Sequence, residues 1–339
     1  MIGIVVVNFN TCELALACLA SLPRQGLDGE RVIVVDNGSQ RAQVDKLRAG
    51  IASIGHGVEL RELPRNLGFA GGCNVGIAAL LADQAVSHVL LVNSDAELCG
   101  DALRVLREQI AGGGASDAVG ARVHACEDVA RVDSLGITLY ASALASDRKH
   151  LQDPWIGPTG GLALYSRALL EALQQRHGYV FDERFFCYAE DTDLALRALL
   201  LGFEPSFIDR CLALHHGQAS SGGAYSDFVL YHAIRNSVWA VAKNLPRPLL
   251  LLMSPLIVVM HGAIVVRHVA RGKARVVWRL YRDALRGLPA TWRARRVVQR
   301  SRCVGWRAIW SRVNRRFYDR DYLRGAWREL WHLERRRKA

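Results

Sequence analysis

Two apolar runs near the start of the chain most constrain its fold. Residues 2–10 read IGIVVVNFN and residues 31–39 read RVIVVDNGS. A run of β-branched residues without polar alternation is typical of a parallel strand that is covered on both faces. Both runs end in polar or glycine residues, as expected where strands meet a ligand crevice at their carboxyl ends. The sequence therefore predicts a doubly wound α/β sheet with a binding site along that edge.

The series of strands and helices continues along the chain. A helix is predicted after Thr11, a candidate N-cap, and GFAGGCNVGIAALLA from Gly68 predicts a glycine-rich turn into another helix. These glycines lack the GxGxxG spacing and do not follow the first strand, which disfavours a nicotinamide-binding enzyme. Residues 88–98, HVLLVNSDAEL, predict a further strand that ends in acidic residues.

Cysteine usage and the first residues bear on the location of the protein. The chain has eight cysteines, none of them in a CxxC pair, and several stand in apolar runs as buried thiols do. We therefore expect reduced thiols and a cytosolic protein. The chain begins directly with a predicted strand and has no basic n-region, so no secretory signal is expected.

An apolar run and a basic tail mark the last third of the chain. Residues 249–266, LLLLMSPLIVVMHGAIVV, contain no Lys, Arg, Asp or Glu. Residues 267–339 carry 23 Lys and Arg against 5 Asp and Glu, a net charge of +18, together with six of the eight tryptophans. About 18 residues is the lower limit for a membrane span. A span would put the basic tail and the body on opposite sides of the membrane. Either the tail would then break the positive-inside tendency or the body would lie outside the cell, so an interfacial or re-entrant arrangement is favoured.

Three carboxylates open one apolar helix. The stretch FFCYAEDTDLALRALLLGF, residues 185–203, brings Glu190, Asp191 and Asp193 within four residues. Acidic residues interact favourably with a helix N-terminus, which accounts for two of the three without any function. The aromatic segment before them would raise a carboxylate pKa toward the range of a general base. Arg197, four residues after Asp193, is positioned to neutralise one charge and leave another available.

Carboxylates and histidines at two strand ends suggest a metal site. Asn93, Asp95 and Glu97 alternate along one extended segment and share one side, so Asp95 is positioned to hold Mg²⁺ or Mn²⁺. His215 and His216 end a later strand, and imidazole suits Mn²⁺-like ions when it is paired with a carboxylate. Adjacent residues of an extended chain point to opposite faces, so one histidine is expected to serve. A polar turn and a structural histidine are the alternative explanations.

Six motifs in order resemble the family 2 glycosyltransferases of GT-A fold, in particular the bacterial rhamnosyltransferase-like branch. They are VVVNFN, VVDNGS, RNLGFAGGCNVGI, LLVNSDAEL, GPTGGLALYSR and FDERFFCYAEDTDLALRALLLGFEP. The resemblance implies an α/β fold, a doubly wound mixed sheet flanked by helices. It implies a catalytic domain at 1–245, with a nucleotide-sugar half at about 1–97 and an acceptor half at about 98–245. Residues 246–339 lie outside the resemblance, and their apolar run and basic, tryptophan-rich tail predict a helical, membrane-associating extension, with a helical packing or oligomerisation segment as the alternative.

The resemblance also implies roles for individual residues. Asp191 corresponds to the catalytic base, and Asp95 and His215 correspond to ligands of Mg²⁺ or Mn²⁺, with spacing to Ser220 favouring His215 over His216. Asn93 occupies the first position of the family's DxD-type metal motif. The residues expected at the nucleotide are Asn8, Asn10, Asp36, Asn37, Asn66, Gly68, Asn74, Asn93 and Ser94. The residues expected at the acceptor are Trp155, Thr159, Gly160 and Glu190.

Together these correspondences imply an inverting glycosyltransferase. A sugar, rhamnose by resemblance, would pass from a nucleoside diphosphate to a hydroxyl of a lipid-linked or cell-envelope glycan. Asp191 would take the hydroxyl proton, and the metal would stabilise the leaving diphosphate. The protein would lie peripherally on the inner face of the plasma membrane, where the basic, tryptophan-rich tail meets anionic lipid. The sequence does not identify the donor, the linkage or the oligomeric state.

Two other functions are weighed against this one. A nucleotidylyltransferase uses a similar sheet, but it needs an early glycine-rich loop with a basic residue, and NFNTCELAL has neither. A nucleic-acid-binding protein would use the interleaved arginines and tryptophans of the tail for phosphate contact and base stacking. The tail follows an apolar run and contains no recognisable nucleic-acid motif, so no nucleic-acid partner is expected.

Overall fold

The computed structural model describes residues 1–25, 27, 29–54, 57–113, 117–217, 226–320 and 324. The first half contains β1 (Ile2–Asn8), α1 (Cys12–Ser21), β2 (Arg31–Asp36), α2 (Arg41–Ile54), β3 (Val58–Glu62), α3 (Gly68–Leu81), β4 (His88–Asn93), β5 (Ala96–Leu98), α4 (Ala102–Ala111), β6 (Ala118–Ala125), β7 (Asp128–Ser134), β8 (Ile137–Tyr140) and β9 (Ala145–Asp147). The second half contains β10 (Leu162–Ser166), α5 (Arg167–His177), α6 (Glu190–Leu200), β11 (Pro205–His215), α7 (Asp227–Asn244), α8 (Arg247–Ala270), α9 (Ala274–Ser301), α10 (Trp306–Trp310) and β12 (Val313–Asn314).

The central sheet is mixed, which confirms the predicted α/β class. Within the described residues its strand order is β3-β2-β1-β4-β10-β6-β11-β5, and β7 pairs with β6. The pairs β3/β2, β2/β1, β1/β4 and β6/β11 are parallel, whereas β10 runs antiparallel to both of its neighbours. The apolar runs of β1 and β2 lie at the centre and are buried on both faces, as their composition predicts.

Helices cover both faces of this sheet. Leu19 of α1, Leu47 of α2 and Leu103 of α4 pack on one face, and Ile77 of α3 and Leu170 of α5 pack on the other. The small residues of α3 allow that helix to approach β1 closely, since a Cβ at position 76 would lie 2.4 Å from Val5 Cγ1. The sheet with its two helical layers leaves the carboxyl ends of β1, β2 and β4 along one open edge.

The first helix begins where the sequence predicts it, but the local capping differs. Thr11 precedes α1, and its side chain does not accept a hydrogen bond from the helix. Its hydroxyl instead donates to Asn8 Oδ1 at 3.0 Å. Thr11 therefore braces the end of β1 and does not act as the side-chain cap that the sequence suggests.

A second, smaller sheet joins the C-terminal helices to the body. β8 pairs with β9 and with β12 near the end of the described chain. Ile137, Leu196 and Leu199 share one apolar cluster with Met253 of α8 and Val298 of α9. Apolar side chains from both sides of the expected boundary between residues 245 and 246 therefore pack in one cluster, and the boundary itself stays a prediction.

One face of α8 is apolar and exposed to solvent. The helix has 24 residues with a mean hydropathy of 2.5 over its most apolar 18-residue window, of which 22% is buried. It is the one helix within the described residues that is long and apolar enough to cross a membrane. Met253, Met260 and Ile264 face the body, while the exposed side chains are Leu251, Leu252, Leu256, Val258, Val259, Val266 and Val269.

Candidate functional site

A cavity of about 820 Å³ opens at the carboxyl edge of the central sheet. It lies between the ends of β1, β2 and β4, the start of α6 and one side of α7. Eleven of the sixteen residues expected at the site line it, namely Asn37, Asn66, Gly68, Asn93, Ser94, Asp95, Thr159, Gly160, Glu190, Asp191 and His215. Residues expected separately at the nucleotide, the metal, the base and the acceptor thus share one cavity.

Three further expected residues support the loops at the edge of the cavity. Asn8 is fully buried and donates from Nδ2 to Asp36 Oδ2 at 2.9 Å. The other oxygen of Asp36 accepts from the backbone N–H of Ser39 at 2.9 Å. Asn10 has a positive φ of 56° and accepts from the backbone N–H of Gln40. These residues fix the loops after β1 and β2, and none of them lines the cavity as the described residues form it.

The structure does not bring Asn74 or Trp155 to the cavity. The Asn74 amide donates to the carbonyl of Phe181 and accepts from its N–H, both at 2.9 Å. Trp155 is buried against Phe207 with 5.5 Å between the ring centroids. Both residues therefore hold neighbouring segments together, and their side chains are already used in packing.

Two asparagines shape the turn that begins α3. Asn37 donates from Nδ2 to Asn66 Oδ1 and to the carbonyl of Gly68, at 3.0 and 2.9 Å. It also accepts from the N–H of Leu67, and Asn66 accepts from the N–H of Gly68. The turn after β3 is thereby tied to the end of β2, and both asparagines face the cavity.

Asp191 presents a carboxylate at the start of α6. Its Oδ2 accepts from the N–H of Gly160 at 3.1 Å, and its Oδ1 accepts from the N–H of Thr192 at 2.6 Å. Burial raises the pKa of Asp191, although both backbone hydrogen bonds act in the opposite direction. The carboxylate is oriented by the backbone and lines the cavity, which is the geometry that a general base requires.

Glu190 lies beside Asp191 in a more enclosed environment. Its side chain lines the cavity, and Oε2 is buried without a hydrogen-bond partner among the described residues. Burial, together with the neighbouring charge of Asp191, raises the pKa of Glu190 well above its usual range. A protonated carboxyl at this position is available to donate a hydrogen bond to a bound hydroxyl.

Asp193, the third carboxylate, points away from the cavity. It is fully buried and accepts from Arg197 Nε at 2.8 Å and from Asn244 Nδ2 at 2.7 Å, and Lys243 Nζ lies 2.8 Å from Oδ1. Burial alone would raise the pKa of Asp193, but Lys243 and Arg197 outweigh it and lower the pKa. The ion pair with Arg197 that the sequence suggests is present within α6, and the contacts of Lys243 and Asn244 with the same carboxylate join α6 to α7.

The loop before α6 has an unusual backbone that the sequence did not reveal. Phe186, Tyr188 and Ala189 have φ angles of 65°, 67° and 63°, which non-glycine residues adopt at an energetic cost. Asn236 of α7 donates from Nδ2 to the carbonyls of residues 185, 187 and 188 at 2.7 to 2.8 Å. No local sequence signal identifies Asn236, because its partners are about fifty residues away.

A histidine joins two carboxylates at the other side of the cavity. His215 Nε2 lies 3.1 Å from Asp95 Oδ1, and His215 Nδ1 lies 2.8 Å from Asp133 Oδ2. Burial by itself lowers the pKa of His215, but the hydrogen bonds with Asp133 and Asp95 outweigh it and raise the pKa to about 10. His216 does not line the cavity and contacts Glu97 at 3.2 Å.

The residues at this position fit a divalent cation as two protein ligands. An imidazole nitrogen and a carboxylate oxygen converge within 3.1 Å at the cavity wall, and such a donor pair suits Mn²⁺ or a similar ion. Among the described residues, no group of three or more His, Cys, Asp or Glu side chains is arranged to hold a metal ion. Further ligands would therefore come from a bound substrate. Asp133 was not expected from the sequence, because it lies in the weakly patterned segment of residues 128–150.

The mixed sheet, with a cavity at the open carboxyl edge of its parallel strands, has GT-A architecture. The family model for glycosyl transferase family 2 matches residues 3–174, about half of the chain. The chain belongs to this family and is a glycosyltransferase. No curated protein matches the sequence.

Solved structures show the same fold at low identity. A mannosyltransferase from Pyrobaculum calidifontis, in complex with GDP-Man and Mn²⁺, is 19% identical with a TM-score of 0.53, and the match covers 88% of this chain and 84% of that one. TarS 1–349 from S. aureus is 17% identical with a TM-score of 0.50 and coverage of 85% and 91%. The same protein in complex with UDP-GlcNAc is 19% identical with a TM-score of 0.50 and coverage of 72% and 67%.

Proposed function

We propose that the chain transfers a sugar from a nucleoside diphosphate to an acceptor hydroxyl with inversion at the anomeric carbon. The observation that carries this proposal is the Asp191 carboxylate, which faces the same cavity as the asparagine-rich loops at the ends of β2 and β3. A single displacement requires one carboxylate base that faces the donor site. The acceptor oxygen would attack as the nucleoside diphosphate leaves from the opposite side.

Several findings support a nucleotide-sugar donor. The family match makes the chain a glycosyltransferase, and the similar structures contain GDP-Man and UDP-GlcNAc. Asn66, Asn93 and Ser94 line the cavity with amide and hydroxyl groups that suit a base or ribose, and Asn37 holds Asn66 in place. Rhamnose is the sugar that the resemblance to the rhamnosyltransferase-like branch favours.

Asp95 and His215 would hold a divalent cation, Mg²⁺ or Mn²⁺. The similar mannosyltransferase structure contains Mn²⁺. When bound, such an ion supplies positive charge that stabilises a leaving diphosphate. Asp133 would keep His215 oriented by accepting from its Nδ1, so that Nε2 faces the cavity.

The base and its neighbours would act on the acceptor. Asp191 would accept the proton of the attacking hydroxyl, and its raised pKa favours this transfer over that of an ordinary aspartate. The N–H groups of Gly160 and Thr192 hold the carboxylate in one orientation. Glu190 and Thr159 line the same part of the cavity and would bind other hydroxyls of the acceptor, a lipid-linked or cell-envelope glycan.

The exposed face of α8 supports a peripheral location on the inner face of the plasma membrane. Leu251, Val258 and Val266 are 76%, 70% and 64% exposed. Trp278 and Trp292 of α9 are exposed as well, among the arginines of the basic region. Apolar and tryptophan side chains beside basic residues suit an anionic bilayer surface.

Vesicle flotation tests the membrane contact. The full-length chain should float with vesicles that contain anionic lipid at low salt, and Leu251→Asn with Val258→Asn should reduce the bound fraction at least threefold. The matched control is Val129→Asn, a change at an exposed valine on β7. Equal flotation of all three proteins, or RNA binding that competes with vesicles, would contradict the membrane proposal.

Donor turnover tests the catalytic proposal. Purified protein is incubated with a panel of nucleotide sugars and with EDTA, Mg²⁺ or Mn²⁺, and nucleoside diphosphate release is measured. We expect one donor to be turned over with metal, a loss of at least a hundredfold in Asp191→Asn, and weaker metal dependence in Asp95→Ala. Asp45→Asn, on the outer surface of α2, is the control and should match the wild type. Full activity of Asp191→Asn would eliminate Asp191 as the base.

A further inference from the structure

The cavity extends beyond the catalytic residues into an apolar region. Its walls there are Leu139 of β8, Leu144 of the following turn, Leu196 of α6, and Ile234 and Val241 of α7, which we call the apolar arm. None of these side chains carries a hydrogen-bonding group. Ser237 of α7 and Asp147 of β9 also line the cavity, so the space is amphiphilic as a whole.

The apolar arm lies against the inner face of α8. Leu144 packs with Met260 and Ile264, which are buried on that helix, and Ile234 packs against the same cluster. The other side of α8 is the exposed apolar face described above. A single helix therefore separates the apolar arm from the surface proposed to contact the membrane.

The apolar arm begins close to the proposed base. Leu196 follows Asp191 by five residues on α6, so the two lie about 7.5 Å apart along the helix axis. Thr192, one turn before Leu196, also lines the cavity. A ligand whose reacting hydroxyl lies at Asp191 would therefore contact apolar side chains after little more than the length of one sugar ring.

We propose that the apolar arm binds the hydrocarbon chain of the acceptor. This inference rests on the proposed function and narrows its acceptor to an amphiphile whose reacting hydroxyl lies one or two sugar residues from a lipid chain. Ile234 and Val241 are partly exposed in the cavity wall, and an acceptor that is polar throughout would leave this apolar surface in contact with water, which is unfavourable. The reaction that supplies this acceptor must be one that joins a first sugar to a lipid carrier.

Alkyl glucosides of different chain length test the apolar arm directly. Dissociation constants for hexyl and octyl glucoside are measured by calorimetry with the full-length chain, below the concentrations at which they form micelles. Two additional buried CH₂ groups should tighten binding about tenfold. Ala233 lines the cavity beside Ile234, so Ala233→Phe and the smaller change Ala233→Leu should fill the space. Both should abolish the preference for octyl over hexyl, and Ala233→Ser, which keeps the volume, should retain it.

The possible results distinguish a failure of the apolar-arm proposal from a failure of the proposed function. Equal binding of both glucosides by the wild type would overturn the apolar arm, even if a nucleotide sugar is turned over in the same samples. A chain-length preference that survives in Ala233→Phe and Ala233→Leu but is lost in Leu251→Asn would put the binding on the outer face of α8, and would also overturn it. Absence of turnover with every donor would count against the proposed function alone, because the glucoside measurement does not require donor. Cooperative thermal unfolding of each variant verifies that it is folded.

Discussion

At the scale of single residues, the carboxylates that open α6 have separate environments. Glu190 and Asp191 line the cavity and have raised pKa values, while Asp193 is fully enclosed between Arg197 and Lys243. Breaking such a buried pair by removing one partner costs about 3 to 5 kcal/mol, because the other charge remains buried. The same short stretch of sequence thus supplies groups for chemistry and a link that holds α6 on α7.

Asn236 holds the loop that precedes Asp191, the proposed base. Asn236→Ala removes a donor that three carbonyls of the loop before α6 share, although the carbonyl of Phe185 still accepts from Arg235 and from the N–H of Cys187. We expect the free energy of unfolding to fall by about 1 to 3 kcal/mol. Donor turnover should fall at least tenfold, because Asp191 directly follows this loop. Chemical denaturation and nucleoside diphosphate release measure the two effects.

The control for Asn236 is a polar residue that bonds only within its own helix. Ser53 is exposed on α2 and donates to the carbonyl of Gly50. Ser53→Ala should change stability by less than about 0.5 kcal/mol and leave turnover unchanged. If Asn236→Ala behaves like Ser53→Ala in both measurements, the loop keeps its conformation without Asn236.

At the scale of elements, α9 packs closely on α7 at one glycine. A Cβ at Gly287 would lie 2.3 Å from Cζ2 of Trp239, whose Nε1 donates to the carbonyl of Ala284 at 2.9 Å. Glycine to alanine in a helix interior ordinarily stabilises by about 1 kcal/mol. Here the indole would have to shift and lose its hydrogen bond, and overpacking of this kind costs about 1 to 3 kcal/mol.

We therefore expect opposite signs for two glycine substitutions. Gly287→Ala should lower the midpoint of thermal unfolding. Gly262→Ala in α8 should raise it slightly, because no atom lies within 4 Å of its Cβ position. The two variants carry the same chemical change in two helices. A rise in both midpoints would mean that α7 and α9 separate easily at this point.

The stability of the contact between α5 and α9 should depend on pH because of His177. Burial, with a contribution from Arg197, lowers the pKa of His177 to about 4, and its Nε2 lies 3.0 Å from Ser301 Oγ. Between pH 6.5 and 4 the unfolded chain binds a proton at this residue that the folded chain does not. The contribution of His177 to stability is therefore complete above pH 6.5 and is lost progressively as the pH falls toward 4.

Replacing His177 isolates this effect from those of other histidines. His177→Gln keeps an amide that reaches Ser301 and removes the titration. The free energy of unfolding, measured by denaturant at pH 7 and at pH 5, should fall less between these values in the variant than in the wild type. Identical decreases in the two proteins would show that His177 is accessible to protons in the folded state.

At the scale of the whole molecule, the body and the C-terminal helices share one core. Arg295 of α9 donates from Nη1 to the carbonyls of Ala242 and Leu245, and β12 pairs with β8. A chain that ends at Leu245 would expose the apolar cluster around Leu196 and Leu199. We expect that truncated chain to be insoluble or to lack a cooperative thermal transition.

The full-length chain with Leu251→Asn and Val258→Asn is the control for truncation. Both substitutions lie on the exposed face of α8 and leave the shared core intact. This variant should unfold cooperatively near the wild-type temperature. A soluble truncated chain with a sharp transition and an unchanged near-ultraviolet spectrum would make residue 245 a true domain boundary.

More of the fold than of the candidate site could be predicted from the sequence. Continuous apolar runs determine β1, β2 and β4 locally, and the acidic stretch at residues 190–193 marks the start of α6 by itself. Asn236 and Asp133 act through partners 48 to 82 residues away, so no periodicity or spacing reveals them. The packing of residues before and after position 245 in one core could not be predicted for the same reason, since a change in composition along the chain says nothing about packing in space.

One backbone contact links the turn before α3 to the loop that carries the base. Gly68 has a φ of 77°, and a Cβ there would lie 2.3 Å from the carbonyl oxygen of Phe186, which also accepts from the N–H of Ala70. The two loops are therefore in direct contact at this point. A donor bound against the first loop would fix the position of the base before any acceptor arrives, so steady-state kinetics should be ordered, with the nucleotide sugar binding first and its diphosphate leaving last.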